Sequence, residues 1–119
     1  MAYVGWELQG RDVLLEIFPP KHPDVLAHHV TLTMNAKMPL PTETYGELVG
    51  IVDQDGVQAV VVMIAGTIAR PDGKVYHITW SIDREAGAKP FHANRVIAEH
   101  GYTAFLWTVP VDLVPKLFT

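Results

Sequence analysis

Two tight-turn signals set between apolar runs constrain this chain more than any other feature. They are Asp53-Gln54-Asp55-Gly56 and, further on, Arg70-Pro71-Asp72-Gly73-Lys74. Asp-Gly readily takes the positive φ that a two-residue hairpin connection needs, so residues 46–53 and 57–69 are expected to run as antiparallel neighbours. The second turn returns the chain into a further strand at residues 75–82. The long 57–69 segment is expected to bend at Gly66, where the missing side chain permits a bulge.

Upstream, residues 3–8 read as a strand with Val4, Trp6 and Leu8 on one face, and residues 28–34 as another. Between them a short helix opens at Gly10-Arg11-Asp12, with Asp12 as its cap and Val13, Leu14 and Ile17 as its inner face. Pro19-Pro20 stops it. Residues 35–44, with Pro39 and Pro41, read as an exposed loop. Downstream, a helix at residues 91–99 anchored by Val96 and Ile97 ends at His100-Gly101. A strand at residues 102–109 closes the fold, and Pro110 and Pro115 are expected to make the tail irregular or an edge element. Trp6, Trp80 and Trp107 fall at alternating strand positions and read as core. The fold class is therefore α+β, with antiparallel sheets and two short helices.

With 119 residues, one domain spanning residues 1–119 is the simplest organisation. An apolar share of 49% against 18% charged residues is ordinary for a globular protein. No apolar run is long enough to suggest a membrane span, no signal peptide is evident, and cytoplasmic residence is the default expectation. The absence of cysteine removes disulfides and thiolate metal sites. The net charge of −4, with nine Lys and Arg scattered singly, argues against a grip on long duplex nucleic acid. A small nucleotide or an RNA terminus needs only a few local cations.

Function is suggested by a repeated phrase, His29-Val30-Thr31-Leu32 and His77-Ile78-Thr79-Trp80. On a strand, His29 and Thr31 share one face and His77 and Thr79 share another, opposite Val30 and Ile78. If the two strands are neighbours, two imidazoles and two hydroxyls converge on one cleft. Cleaving a phosphodiester requires the attacking oxygen to lose a proton and the leaving oxygen to gain one. Imidazoles, with an ordinary pKa of about 6.5, can serve both ends of that exchange, and hydroxyls can donate to the non-bridging oxygens. This scheme needs no metal and no cofactor, and no His-Glu-x-x-His or comparable ligand spacing is present.

The two His-x-Thr strands, each followed by a large apolar residue, resemble the signature of the two-histidine (2H) phosphoesterase superfamily. The stretch from His77 to Trp80, followed by Lys89-Pro90 and Asn94, is similar to the cyclic phosphodiesterase domain of fungal-type RNA ligases. The resemblance implies a bilobal α+β fold with a central groove, His29 and His77 as catalytic acid and base, and Thr31 and Thr79 as phosphate-binding residues. It also implies metal-independent hydrolysis of a 2′,3′-cyclic phosphate or a related nucleotide phosphodiester. Hydrolysis of a cyclic oligonucleotide signal, as in phage counter-defence enzymes, and non-catalytic nucleotide binding are the alternatives.

Further substrate-binding candidates are Tyr3, Trp6, Tyr45 and Tyr76 for stacking on a base, and Lys37, Lys89 and His92 for contacts near the phosphate. The loop at residues 35–44 is expected to rim the site. His28 is expected to face away from His29 by strand alternation, His22 to be solvated, and His100 to cap its helix.

Overall fold

The alternating runs and their turns give seven strands. In the computed structural model, which describes residues 2–119, the order is β1 (Tyr3–Leu8), α1 (Arg11–Ile17), β2 (Asp24–Val25), β3 (His29–Thr33), β4 (Tyr45–Gln54), β5 (Val57–Met63) and β6 (His77–Ile82). A 3-10 turn at Arg84–Ala86, helix α2 (His92–His100) and strand β7 (Thr103–Phe118) complete the chain. All ladders are antiparallel, and the sheet order is β2-β6-β5-β4-β7-β1-β3. The expected α+β class with an antiparallel sheet and two helices is the one observed.

The β4–β5 hairpin turns at Asp55 and Gly56, whose φ angles of 54° and 76° are those the Asp-Gly signal requires. The expected long strand at residues 57–69 is shorter. It stops at Met63, and Ala65 and Gly66 (φ 52° and 79°) make a second tight turn in which Ile64 and Thr67 exchange both backbone hydrogen bonds. Alanine is a rare first residue for such a turn, so its signal is weak.

Strand β7 departs most from expectation, running through both prolines. Residues 103–112 pair with β4 and residues 113–118 pair with β1. Pro110 and Pro115 therefore each face a ladder on one side only, where a missing N–H costs nothing. Opposite the irregularity at Leu48 to Gly50, β7 bulges outward and exposes Leu106 and Trp107, so Trp107 is not a core residue.

Apolar side chains fill both faces of β5. Val60 and Val62 join Trp6, Val30, Leu48, Ile78, Trp80 and Leu113 in the main core. Val57, Ala59 and Val61 meet Ala93, Val96 and Ile97 of α2. Each buried indole contributes roughly 5 kcal/mol of apolar burial. Each also satisfies its N–H: Trp80 donates to the Phe18 carbonyl at 2.7 Å and Trp6 to the Glu43 carbonyl at 3.0 Å.

Helix α1 buries Leu14, with Leu15 against the core, while Val13 and Ile17 are exposed. Gly10, in the left-handed region, precedes it in place of an Asp12 cap. Two helical turns bury only a narrow stripe, and here that stripe centres one residue beyond Val13. Among the described residues no helix is long and apolar enough to cross a membrane.

Candidate active site

The two ends of the sheet order, β2 and β3, are consecutive pieces of chain, and this closure builds the site. β2 pairs with β6 (Asp24 with Ile82, Val25 with Ser81), and the Leu26 and Ala27 amides continue the ladder onto the Trp80 and Thr79 carbonyls at 2.9 and 3.0 Å. At Ala27, held at a φ of 47°, the chain swings away, and β3 joins β1 instead. Carried past Ala27, the β2–β6 register sets His29 across from His77. The strands diverge there, and a cavity of about 510 Å³ opens between them. That volume suits one or two nucleotides.

The cavity is lined by both motif pairs, His29 with Thr31 and His77 with Thr79. Val30, Ile78 and Trp80 alternate with them and belong to the core behind, so period-two alternation aims the polar pairs outward. Tyr3, Leu26, Met34, Pro90 and Phe91 form the apolar part of the lining, and Arg70, Lys74, His28 and Asn94 the rest of the polar part.

Both motif histidines favour the neutral ring. Burial pulls His29 down to about 4, with the charges of His28 and His77 adding to the shift. Burial also pulls His77 below the ordinary histidine value, helped by Arg70 and Lys74 and opposed by its bond to Val75. That bond, 2.8 Å from Nδ1 to the Val75 carbonyl, requires a proton on Nδ1. Neutral His77 therefore carries its lone pair on Nε2, ready to accept a proton. His29 packs against the stacked rings of Tyr3 and Phe118, 5.1 Å from each, and its Nδ1 lies 3.1 Å from Nδ1 of His28. The Thr79 hydroxyl donates to the Pro90 carbonyl at 3.2 Å, a bond that rotation about Cβ–Oγ can exchange for one to a ligand.

Among the other candidates, Tyr3 alone lines the cavity. Trp6 and Tyr76 are buried edge to face against each other in the core, because alternation puts them behind the sheet. Tyr45 is exposed beside a separate depression that it shares with Thr42 to Thr44, so the loop expected to rim the site, Lys37 included, lies outside the lining. Lys89 and His92 stand just outside as well, with the His92 ring accepting from the Lys89 amide at 3.1 Å. His28 faces the cavity despite alternation, since the kink at Ala27 breaks the period.

Arg70 and Lys74 were not among the sequence candidates. The turn that carries them reads as a connector, and only its position just before the second motif hinted at more. Arg70 is buried and bonds Asp72 through Nε and a terminal nitrogen at 3.2 and 2.5 Å, which fixes the turn against the site. Phe91 and Met34, both exposed at the cavity edge, carry no periodic signal. At the far end of α2, exposed Asp55, Glu99 and His100 come within reach of one another, a common surface arrangement remote from the cavity.

Comparison with protein-family models, with curated proteins and with solved structures finds no match to this chain.

Proposed function

We propose that the domain is a small two-histidine phosphoesterase that hydrolyses a 2′,3′-cyclic phosphate, on a mononucleotide or at an RNA end, by acid–base catalysis. One observation carries this reading: the strand divergence at Ala27 that puts both His-x-Thr faces into a single cavity. In this reading the two ends of the sheet, meeting at β3 and β6, are the two lobes of the family fold.

The residues take distinct roles. His77, with its lone pair on Nε2 and cations nearby, is the base that removes a proton from the attacking water. His29, on the opposite strand, gives a proton to the ribose oxygen that leaves phosphorus. Thr31 and Thr79 donate to the non-bridging oxygens, where negative charge grows, and Lys74 lies close enough to neutralise part of it. Phe91 and Tyr3 offer ring faces for a base. General acid–base assistance of this kind accelerates a reaction by roughly 10²–10⁴-fold per positioned group, without a metal.

The test is incubation with a panel of 2′,3′-cyclic nucleotides and cyclic dinucleotides, with chelator present and products separated by chromatography. Ring opening of a 2′,3′-cyclic nucleotide to a monophosphate is expected. Cleavage of the cyclic dinucleotides alone would move the reading to cyclic oligonucleotide signals, and binding without turnover would leave a nucleotide-binding module.

A further inference from the structure

The reading above leaves a difficulty at His29. A ring whose burial disfavours charge is asked to deliver a proton. The structure places a second imidazole where it resolves this.

Ala27 is fully buried at a φ of 47°, a value a residue with a side chain adopts only under constraint. The constraint is the change of ladder. Residues before it bond β6, while the carbonyl of His28 already accepts from the Leu8 amide of β1 at 2.9 Å. The kink turns the His28 ring onto the side of His29, at 5.2 Å between centroids and 77° between planes. Two Nδ1 atoms 3.1 Å apart can hold one proton between them and no more.

The two rings differ in surroundings. His29 is packed against Tyr3 and Phe118, whereas His28 is half exposed, with Nε2 lying 3.8 Å from a Glu7 carboxylate oxygen. Lys116 holds that carboxylate at 3.0 Å and keeps its pKa below the usual range. The other groups facing the pair are Tyr3 from β1, His77 from β6, and Arg70 and Lys74 from the turn before it. Of all these neighbours, Glu7 is the carboxylate, and it stands on the His28 side.

We propose that His28 is a positioning residue that carries the catalytic proton for His29, an assignment that rests on the phosphodiesterase reading. In the acid form of the pair the extra proton sits on His28, the ring nearer solvent and Glu7, which donates its Nδ1 proton to Nδ1 of His29. That fixes His29 as the tautomer with its proton on Nε2, aimed at the cavity. As the P–O bond to the ribose breaks, the Nε2 proton moves to the leaving oxygen and the Nδ1 proton of His28 passes to Nδ1 of His29. One proton leaves the pair and both rings end neutral; the pair resets when the Nδ1 proton returns from His29 to His28 and Nε2 of His29 takes up a proton from solvent. His29 never has to bear a full charge in its apolar setting.

Two measurements on the full chain test this. The first is ¹⁵N NMR of the histidine rings near neutral pH, which needs no substrate. Wild type is expected to show His29 protonated at Nε2 and bare at Nδ1. His28→Ala is expected to change that tautomer balance, and His28→Gln, whose amide can donate to Nδ1, to restore it. A wild-type His29 protonated at Nδ1, or a balance unchanged in His28→Ala, overturns the proposal. The second is turnover of a 2′,3′-cyclic nucleotide across pH. Both variants are expected to lose about 10- to 100-fold in kcat with little change in KM, and to show an alkaline limb displaced to lower pH. Unchanged kcat overturns the relay. Absence of turnover in wild type overturns the phosphodiesterase reading instead, and the ring tautomers then decide the pairing alone.

Discussion

Protonating His29 must cost this fold stability, and the cost can be worked through. In the unfolded chain the ring titrates at about 6.5. In the folded protein, burial and the neighbouring histidines pull it down to about 4. Between those values the unfolded state binds more protons than the native one, so stability falls as pH drops from 6.5 towards 4 and rises with pH across that window. A shift of that size removes about 2 kcal/mol at pH 5 for a fully enclosed ring. His29 opens onto the cavity, and solvent screening reduces this to about 1 kcal/mol. Exchanging His29 for glutamine removes the titration, so its contribution is isolated by comparing wild type with His29→Gln in urea at pH 7 and pH 5. With a urea slope of about 1–3 kcal/mol/M, the wild-type midpoint should fall by roughly 0.5 M more than that of the variant. Equal falls in the two proteins would refute the burial of an uncharged ring at this position.

Two other predictions concern the backbone that holds the site. A Cβ at Gly5 would sit 2.1 Å from the Val30 carbonyl oxygen, so Gly5→Ala must push β3 away from β1. A loss of roughly 1–3 kcal/mol in urea unfolding, together with displaced Thr31 and His29 amide signals in NMR, is expected; an unshifted stability would show that the strands tolerate separation. Ala65 is exposed in the left-handed region, so Ala65→Gly should stabilise the fold by about 0.5–1 kcal/mol in the same assay, and a loss would contradict the turn geometry.

The parts of this fold legible in the sequence are those governed by short-range rules. Alternation placed His29 with Thr31 and His77 with Thr79, and Asp55-Gly56 announced its hairpin, because each depends on neighbours two or three residues away. What escaped depends on distant pairing. The prolines of β7 are harmless only because each half of that strand has a single ladder, a fact set by β1 and β4. His28 enters the cavity because Ala27 bends where the ladder changes from β6 to β1, which no local pattern reveals. Arg70 looked like a turn residue, and its part in the site emerges only once β6 faces β3. Trp6 and Tyr76 were attractive stacking candidates by type, yet alternation had already committed them to the core.

The central claim is that His29 and His77 act together on one phosphate. Its most direct measurement is kcat/KM for a 2′,3′-cyclic nucleotide, with chelator present, in wild type, His29→Ala, His77→Ala and the double variant. Each single substitution should cost roughly 10²–10⁴-fold, and the double should be little worse than the more damaged single, since groups acting in one step are not additive. Turnover that survives both substitutions would contradict the account.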